Sequence, residues 1–422
     1  MPTPVKRLQP RSYHAFRCIG AECEDTCCIG WIVNIDKLTF QAYQGCDDPE
    51  LGSRLHELVT INADSTSDDS HARINLSGSG CPFLSEGLCG IQKKLGAEYL
   101  SIMCARYPRF ANMVDDVLEQ SLDLSCPEAA RLVLLDPNPL EFDEEEGPMH
   151  DQRLGHPPVL RTLSKDCAIP YQYFREIRGY VIWLLQYRAY PLWKRLVILG
   201  SFCDELQERA AAGRYSEALE VVEAYRDAVH RGLFDEALNN HRARPAEQLE
   251  VVLELIVARI SSDFTAPRFL ACYQEFMQGI EWTAESSMDD IGRSYTTAFS
   301  EHYAPFMSRH GHMLEHDLVN YVYRTLFPLG PQESGQASVP HSAGSIRDQC
   351  LRMMVHYAII QTVLIGLTGF HKANFVTGHV VKTIQSFTKA FEHSLTFPER
   401  ALQILAEKDV ATCAGFAILL RN

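Results

Sequence analysis

The sequence predicts a mainly α-helical protein that begins with an irregular, cysteine-rich metal-binding domain containing short strands. Nine of the 14 cysteines lie in the first 126 residues, where glycine and proline recur and no long helical pattern persists. From Tyr171 onward, apolar residues recur at the 3.6-residue period of amphipathic helices, with no run of alternating strand residues between them. The second region is therefore predicted to be all-α.

This contrast predicts two domains joined by a linker. The cysteine-rich domain is expected to cover residues 1–135, and the all-α domain residues 169–422. Between them, residues 136–168 carry several prolines and an acidic run at 141–147. Because like charges repel and proline has no amide hydrogen to donate, we expect this stretch to be a linker without a packed element.

The cysteine-rich domain has signals for a few short elements. Residues 109–114 and 117–122 flank two aspartates, a pattern typical of a β-hairpin. A strand-like alternation at 31–35 precedes Asp36, which is placed to cap a helix. Pro127 is expected to begin a helix.

One stretch of this domain is predicted to lack regular structure. Residues 52–80 are rich in serine, aspartate and glycine, which predicts an exposed loop that leads into a short strand at 73–76.

The helices of the second domain can be placed from their apolar pattern. One ends near Pro191, a second runs from Leu192 to Gly213, and a third is capped by Ser216 and closed by Gly232. Seven further helices are predicted over about 246–262, 267–281, 289–307, 313–327, 347–367, 373–395 and 398–420.

The charge balance excludes one class of function. The 422 residues (47.7 kDa) carry 39 lysines and arginines against 54 aspartates and glutamates, which gives a net charge of -15. A nucleic-acid-binding protein needs a basic face, and the chain has no lysine- or arginine-rich run. We therefore expect no nucleic-acid partner.

The sequence also predicts a cytoplasmic protein with no membrane partner. Its first residues lack the apolar stretch of a secretory signal. The most apolar segment, residues 353–371, contains His356, Gln361, Thr362 and Thr368, which would each need a polar partner inside a bilayer. We therefore predict a buried helix at this position.

The clustered cysteines predict a metal site, because thiols in a reducing cytosol more often bind metal than form disulfides. An isolated cysteine such as Cys203 is instead expected to be a core residue. Cys46, in a glycine- and proline-containing turn, is interpreted as a bystander. The candidate ligands are Cys18, Cys23, Cys27, Cys28, Cys81, Cys89, Cys104 and Cys126.

The spacing of these cysteines favours an iron–sulfur cluster over zinc. No pair has the Cys-x2-Cys spacing of zinc knuckles, whereas cluster ligands tolerate irregular gaps and a following proline, as at Cys81 and Cys126. Eight thiols exceed the four that one cubane needs, so some are spare or a second metal is present. Cys27 and Cys28 are adjacent and are not expected to bind the same centre. A structural and a catalytic role for the metal remain equally open.

Three other functional motifs are incomplete or absent in this sequence. Cys23-x3-Cys27 begins the radical S-adenosylmethionine spacing, but Gly30 stands where the third cysteine is needed. No Gly-x-Gly-x-x-Gly follows a strand pattern. His310, His312 and His316 lack the zincin glutamate, and we interpret them as a solvated helix face.

The cysteine-rich region resembles the flagellin lysine-N-methylase family of bacteria, and its cysteines are similar to a wider group of zinc- or iron-chelating proteins. The motifs occur in order through the first ~135 residues, an arrangement that chance rarely produces. They are Cys23-Glu-Asp-Thr-Cys27-Cys28-x-Gly-Trp31, Cys81-Pro-Phe-Leu84 with Cys89-x-Ile-Gln92, Leu100-Ser-x-x-Cys104-x-x-Tyr107-Pro-Arg109, Ser121-Leu-x-Leu-Ser-Cys126-Pro-Glu128-Ala-Ala130 and, in the helical half, Leu314-Glu-x-x-Leu318-Val-Asn-Tyr321-Val322 with Leu326-Phe-Pro328.

The resemblance implies methyl transfer from S-adenosylmethionine to surface lysines of flagellin, with a [4Fe-4S] cluster in the enzyme. A lysine ammonium has no lone pair, so such a site must deprotonate it. Glu128, Tyr107 and Tyr321 lie in family-like motifs and are candidates for the base, each with a structural role as the favoured alternative. The rival interpretation is a non-enzymatic flagellin-binding protein with a structural metal site, and electron transfer is a third. No residue is predicted for the methyl-donor pocket.

Overall fold

The computed structural model describes residues 4–30, 32–65, 67–76, 80–148, 157–163, 171–261, 266–331, 345–412 and 419–422. Helices dominate, as predicted for the fold class, and the short strands fall before Tyr171. The strands are β1 Pro4–Pro10, β2 Asn34–Ile35, β3 Val59–Ile61, β4 Ala72–Ile74, β5 Leu84–Ser85, β6 Leu88–Cys89, β7 Arg109–Val114, β8 Val117–Leu122, β9 Phe142–Pro148 and β10 Val159–Leu160.

The helices divide into short ones in the cysteine-rich region and longer ones after it. The short ones are α1 Ser12–Ala15, α2 Lys37–Gln44, α3 Leu51–Leu58, α4 Gly90–Leu95, α5 Ile102–Arg106 and α6 Pro127–Leu134. The later ones are α7 Phe174–Leu185, α8 Leu192–Ala211, α9 Ala218–His230, α10 Asp235–Asn240, α11 Pro245–Ile260, α12 Pro267–Gly279, α13 Met288–Ala298, α14 Ala304–His310, α15 His312–Thr325, α16 Ile346–His371, α17 Thr377–Phe387 and α18 Phe397–Glu407.

The largest sheet has five strands in the order β10-β7-β8-β1-β9. The predicted hairpin is confirmed, because β7 and β8 pair antiparallel and close at the contact between Val114 and Val117. The prediction that residues 136–168 hold no packed element is wrong. Their acidic run forms β9, which pairs antiparallel with β1 along seven residues.

Complementary charge explains why an acidic run can form this edge strand. β1 is basic where β9 is acidic, and Arg7 on β1 lies opposite Glu145. Arg11, just after β1, forms ion pairs with Glu141 and Asp143. Opposite charges across paired strands stabilise the sheet, so the repulsion expected within the run is offset by β1.

A second, smaller core lies within the cysteine-rich region. Strands β2, β4 and β3 form a sheet that packs with α2 and α3 around buried apolar residues such as Ile35 and Leu55. Asp36 caps α2 as predicted, accepting a hydrogen bond from the Thr39 amide at 2.9 Å. The loop prediction for 52–80 is wrong over α3 and β3, because α3 buries one apolar face against this core. The alternation at 31–35 is confirmed only for β2, since Trp31 lies outside the described residues.

Most of the predicted later helices are present, with four differences. Ser216 lies in a 3-10 turn rather than at an N-cap. The helices predicted at 289–307 and 373–395 each contain a π-helical segment, Phe299–Tyr303 and Thr388–Glu392. The last helix, predicted over 398–420, ends at Glu407, and residues 413–418 lie outside the described part of the chain. Helix α10 was not predicted.

Helix α16 forms the centre of the helical half. Among the described helices, α16 is long and apolar enough to cross a membrane. However, 94% of its most apolar stretch is buried inside the protein. The predicted buried helix at 353–371 is thus confirmed. Gly366 allows α12 to approach closely, because a Cβ at this position would lie 2.3 Å from the Phe276 side chain.

The main hydrophobic core crosses the predicted domain limits. Phe16 and Leu122 from the cysteine-rich region pack with residues of α7, α15 and α16. At the same junction Arg178 of α7 donates two hydrogen bonds of 2.6 Å to the carboxylate of Glu119 on β8, and both side chains are buried. The five-stranded sheet is therefore anchored to the helical half by apolar packing and one bidentate ion pair.

We predict that Glu119→Ala lowers the free energy of unfolding by about 3–5 kcal/mol, because it leaves the Arg178 guanidinium buried without its carboxylate. Urea denaturation measures this loss. Asp227→Ala is the control, since it breaks an exposed pair with Arg231 on α9 and should cost no more than about 1 kcal/mol. Equal losses in the two variants would contradict the anchoring role of Glu119.

Candidate functional site

The loop that carries Cys23, Cys27 and Cys28 is held by the helical half. Lys389, in the π-helical segment after α17, donates to Asp25 Oδ1 at 2.9 Å and to the Thr26 carbonyl at 2.8 Å. Its side chain is 8% exposed. One turn earlier, Gln385 donates to Asp25 Oδ2 at 2.9 Å and to the Ser125 carbonyl at 2.7 Å. These contacts bring the loop next to the segment that contains Cys126.

Four cysteines from separate segments form what we call the first cysteine group: Cys28, Cys81, Cys89 and Cys104. The backbone brings three of them together. The Cys81 amide donates to the Cys28 carbonyl at 2.8 Å, and Cys89 pairs with Leu84 across the β5–β6 hairpin, whose first strand begins three residues after Cys81. Cys104 comes from α5, whose N-terminus is fixed to Asp36 by a 3.0 Å hydrogen bond from the Ile102 amide.

The thiols of the first group are close enough to influence one another's protonation. Burial raises the pKa of Cys104 to about 12, and the neighbouring charges of Cys28, Cys89 and Cys81 contribute to the rise. Burial likewise raises the pKa of Cys81 to about 11, with contributions from Cys28 and Cys89. Cys104 keeps accessible surface in the structure, as Cys18 and Cys27 do.

The other four candidates form the second cysteine group: Cys18, Cys23, Cys27 and Cys126. Cys126 stands at the N-cap of α6, directly before Pro127. Arg131 of α6 binds Glu24 at 2.6 Å, which holds the Cys23 segment against this helix. Burial raises the pKa of Cys126 to about 11, and the charges of Cys23 and Cys18 contribute.

Cys27 and Cys28 connect the two groups. Their thiols share a hydrogen bond, which raises the pKa of Cys27 and lowers that of Cys28. Lys389 adds to the lowering for Cys28 through its positive charge. Cys28 is therefore the more readily ionised thiol of the pair.

The donor set is thiol-rich, as soft metals and iron–sulfur clusters require. In the part of the chain that the structure describes, no three His, Cys, Asp or Glu side chains converge closely enough to hold a single metal ion. A four-iron cubane is larger than one ion and holds its four thiolates further apart. The thiol donors of the first cysteine group therefore suit either a soft metal ion or a cluster.

The remaining candidates from the sequence are placed as follows. Cys203 is buried in the main core, as predicted, and Cys46 packs beside the smaller core. The solvated-face interpretation of the histidines is wrong for His316, which is fully buried with Nδ1 2.9 Å from the Val133 carbonyl oxygen. Its helix face packs against α6, so its ring faces protein and not solvent.

A cleft in the helical half was not predicted from the sequence. It offers about 90 Å³ to the centres of water-sized molecules, within a space of about 720 Å³ that opens to solvent between α15, α16, α18 and the π-helical segment after α17. The lining residues are Tyr321, Arg324, Thr325, Gln349, Arg352, Val355, His356, Phe387, Phe391, Glu392, Phe397, Pro398 and Ala401.

The inner end of the cleft holds a buried charge network. His356 Nε2 lies 2.7 Å from Asp317 Oδ2, and its Nδ1 lies 2.9 Å from Glu392 Oε1, outside hydrogen-bonding alignment. Glu392 also forms an ion pair with Arg324. One signal for this network is visible in the sequence, because His356 is a polar residue in an apolar segment and requires a partner.

This network continues to the cysteines. Arg324 lies 3.8 Å from Asp123, whose carboxylate also accepts a 2.9 Å hydrogen bond from the Ser125 amide. Burial alone would raise the pKa of Asp123, but the charges of His393 and Arg324 outweigh burial and hold that pKa well below its usual value. Ser125 directly precedes Cys126, so ionic contacts join the cleft to the second cysteine group.

The three candidate bases lie in different environments. Glu128 is paired with Arg131 at 2.8 Å and does not line the cleft. The Tyr107 hydroxyl contacts Ser125 Oγ at 3.0 Å. Tyr321 lines the cleft. Burial raises the pKa of both tyrosines, so their hydroxyls stay protonated near neutral pH.

Comparisons with known proteins agree on one family. Residues 178–419, more than half of the chain, match the profile of the FliB lysine N-methylase C-terminal domain. A lysine-N-methylase of Salmonella typhimurium (strain LT2) is 30% identical over 138 residues, which are 32% of this chain and 34% of that protein. The flagellar biosynthetic protein FliU of Salmonella muenchen is 30% identical over 139 residues, 33% of this chain and 82% of that protein.

A lysine-N-methylase of Salmonella choleraesuis (strain SC-B67) is likewise 30% identical over 138 residues, 32% of this chain and 34% of the relative. The aligned region thus spans about a third of the two lysine-N-methylases. No solved structure matches the chain. The profile match over the helical half, together with the covered length of FliU, shows that the chain belongs to the FliB lysine N-methylase family.

Proposed function

We propose that the protein is a cytoplasmic enzyme that transfers methyl groups from S-adenosylmethionine to the ε-amino groups of surface lysines on flagellin. The match of residues 178–419 to the lysine N-methylase C-terminal domain carries this proposal. Two relatives are named lysine-N-methylases and a third is named a flagellar biosynthetic protein. The net charge of -15 favours approach to a lysine-bearing surface.

The chemistry requires a neutral amine. Its nitrogen forms the new bond to the methyl carbon, the carbon–sulfur bond of the donor breaks with its electron pair returning to sulfur, and one amine proton passes to a base. Lysine has an ordinary pKa of ~10.4, so the site must assist this proton loss. Burial raises the pKa of Tyr107 and of Tyr321, so both hydroxyls stay protonated and cannot accept the proton from the amine. Glu392 places a carboxylate in the cleft and is the better candidate.

We further propose that the first cysteine group binds a [4Fe-4S] cluster. Its four thiols come from four separate segments, so a bound cluster would supply free energy that holds these segments together. The second cysteine group is a separate set of four thiols, which makes a second metal centre the alternative to spare cysteines. Zinc remains the alternative metal.

The ligand assignment predicts a difference between two cysteine variants. Cys104→Ala should lose most of the bound iron, because it removes one thiolate of the proposed cluster. Cys203→Ala should keep the wild-type content, because Cys203 is a core residue in α8. Elemental analysis of anaerobically purified protein, with acid-labile sulfide, measures both. Unchanged iron in Cys104→Ala would exclude it as a ligand.

The activity predicts that purified flagellin gains mass in steps of one methyl group when incubated with the protein and S-adenosylmethionine. Mass spectrometry should place each methyl group on a lysine, and omission of S-adenosylmethionine should abolish the gain. Flagellin that binds the protein but shows no change in mass would contradict the enzyme and support the rival interpretation, a flagellin-binding protein with a structural metal site.

A further inference from the structure

We propose that the cleft lined by α15, α16, α18 and the π-helical segment is the binding site of the methyl donor, a sulfonium compound that joins an amino acid to a purine nucleoside. This inference rests on the proposed function and assigns a place to its small-molecule substrate. It also separates the donor site from the cysteines, since the cleft is built entirely from the helical half.

The aromatic walls provide the first argument. Phe387 and Phe391 stack with ring centroids 4.6 Å apart, and Phe397 meets Phe391 edge-on at 5.0 Å. Tyr321 lies on the α15 side. Aromatic faces attract a cation such as a sulfonium and also stack on a flat heterocycle. A neutral aliphatic ligand would use neither property.

The charges of the cleft provide the second argument. Arg324 and Arg352 bring guanidinium groups to it, and Glu392 brings a carboxylate, with each of these side chains at most 12% exposed. A zwitterionic amino acid offers a partner of each sign. Arg324 pairs with Glu392, and Arg352 pairs with Glu399 on α18, so the cleft carries charges of both signs and no excess of one. This mixed pattern suits a zwitterionic ligand.

Unpartnered buried atoms provide the third argument. Asn320 Oδ1 and Thr388 Oγ1 make no hydrogen bond within the described residues, although both residues are at most 4% exposed. Both border a gap, too narrow for a water molecule, that shares Tyr321, Arg324 and Glu392 with the cleft. Buried polar atoms without partners cost free energy, so the inner end of the cleft is polar and not fully hydrogen-bonded.

The π-helical segment explains how one element serves both regions. Its wider turn places Lys389 against the cysteine loop and Glu392 in the cleft. Such segments are rare and are often found at functional sites. The donor site and the cysteine loop are therefore fixed by the same five residues, Thr388–Glu392.

The experiment measures binding of S-adenosylmethionine to the purified, metal-loaded full chain by equilibrium dialysis. Arg352→Gln and Phe397→Leu should each weaken binding about tenfold or more, because each removes a partner worth about 1.4 kcal/mol or more. The matched controls are Arg347→Gln, on the same helix but paired with Asp204 outside the cleft, and Phe306→Leu, which packs on Phe375. Both controls should bind as wild type does.

A second measurement does not depend on variants. Ultraviolet crosslinking of radiolabelled S-adenosylmethionine to the wild-type protein should label peptides from α16, the π-helical segment or α18. Labelling only of peptides outside the cleft, or wild-type affinity in both cleft variants, would overturn the assignment. If the donor-site assignment fails but the protein still methylates flagellin, the proposed function stands and only the location of the donor site is wrong. If the wild-type protein neither binds S-adenosylmethionine nor methylates flagellin, the proposed function fails as well.

Discussion

The position of the cysteine loop relative to the helical half depends on the contacts of the buried Lys389 ammonium group. This group lies between the carboxylate of Asp25 and the carbonyl of Thr26, in the loop that carries Cys27 and Cys28. That loop has almost no secondary structure and could not position two thiols by its own backbone hydrogen bonds. Breaking a buried ion pair leaves an uncompensated charge, so the helical half constrains the cysteines strongly.

A consequence is that the two halves of the chain form one functional unit. Asp123 and Ser125 precede Cys126 and contact Arg324 and His393 from the helical half. The same Arg324 pairs with Glu392 in the cleft. A change of charge at Asp123 would therefore act on the cleft through two ion pairs.

Local patterns were sufficient to predict much of the fold. The β7–β8 hairpin, the cap at Asp36 and the buried helix at 353–371 depend on neighbouring residues, and the structure confirms them. The acidic run at 141–147 was misjudged because its partner, β1, lies more than 130 residues away in sequence. Complementary charge on a distant strand cannot be seen in a local window.

The candidate site also has some features that local sequence patterns predict and others that only distant contacts reveal. The cysteines are recognised by residue type and motif order, but their division into two groups depends on backbone contacts between distant segments. The cleft was missed because Asp317, Arg324, His356 and Glu392 come from three helical elements and form no motif together. His316 was misplaced because only the packing of α15 on α6 shows that its face is buried.

We propose that the first cysteine group holds an iron–sulfur cluster in a region fixed by the helical half. Anomalous X-ray diffraction at the iron absorption edge, from crystals grown anaerobically, tests it most directly. We expect an iron peak surrounded by the sulfur atoms of Cys28, Cys81, Cys89 and Cys104. An iron peak elsewhere, or these four sulfurs joined in disulfide bonds, would contradict the account.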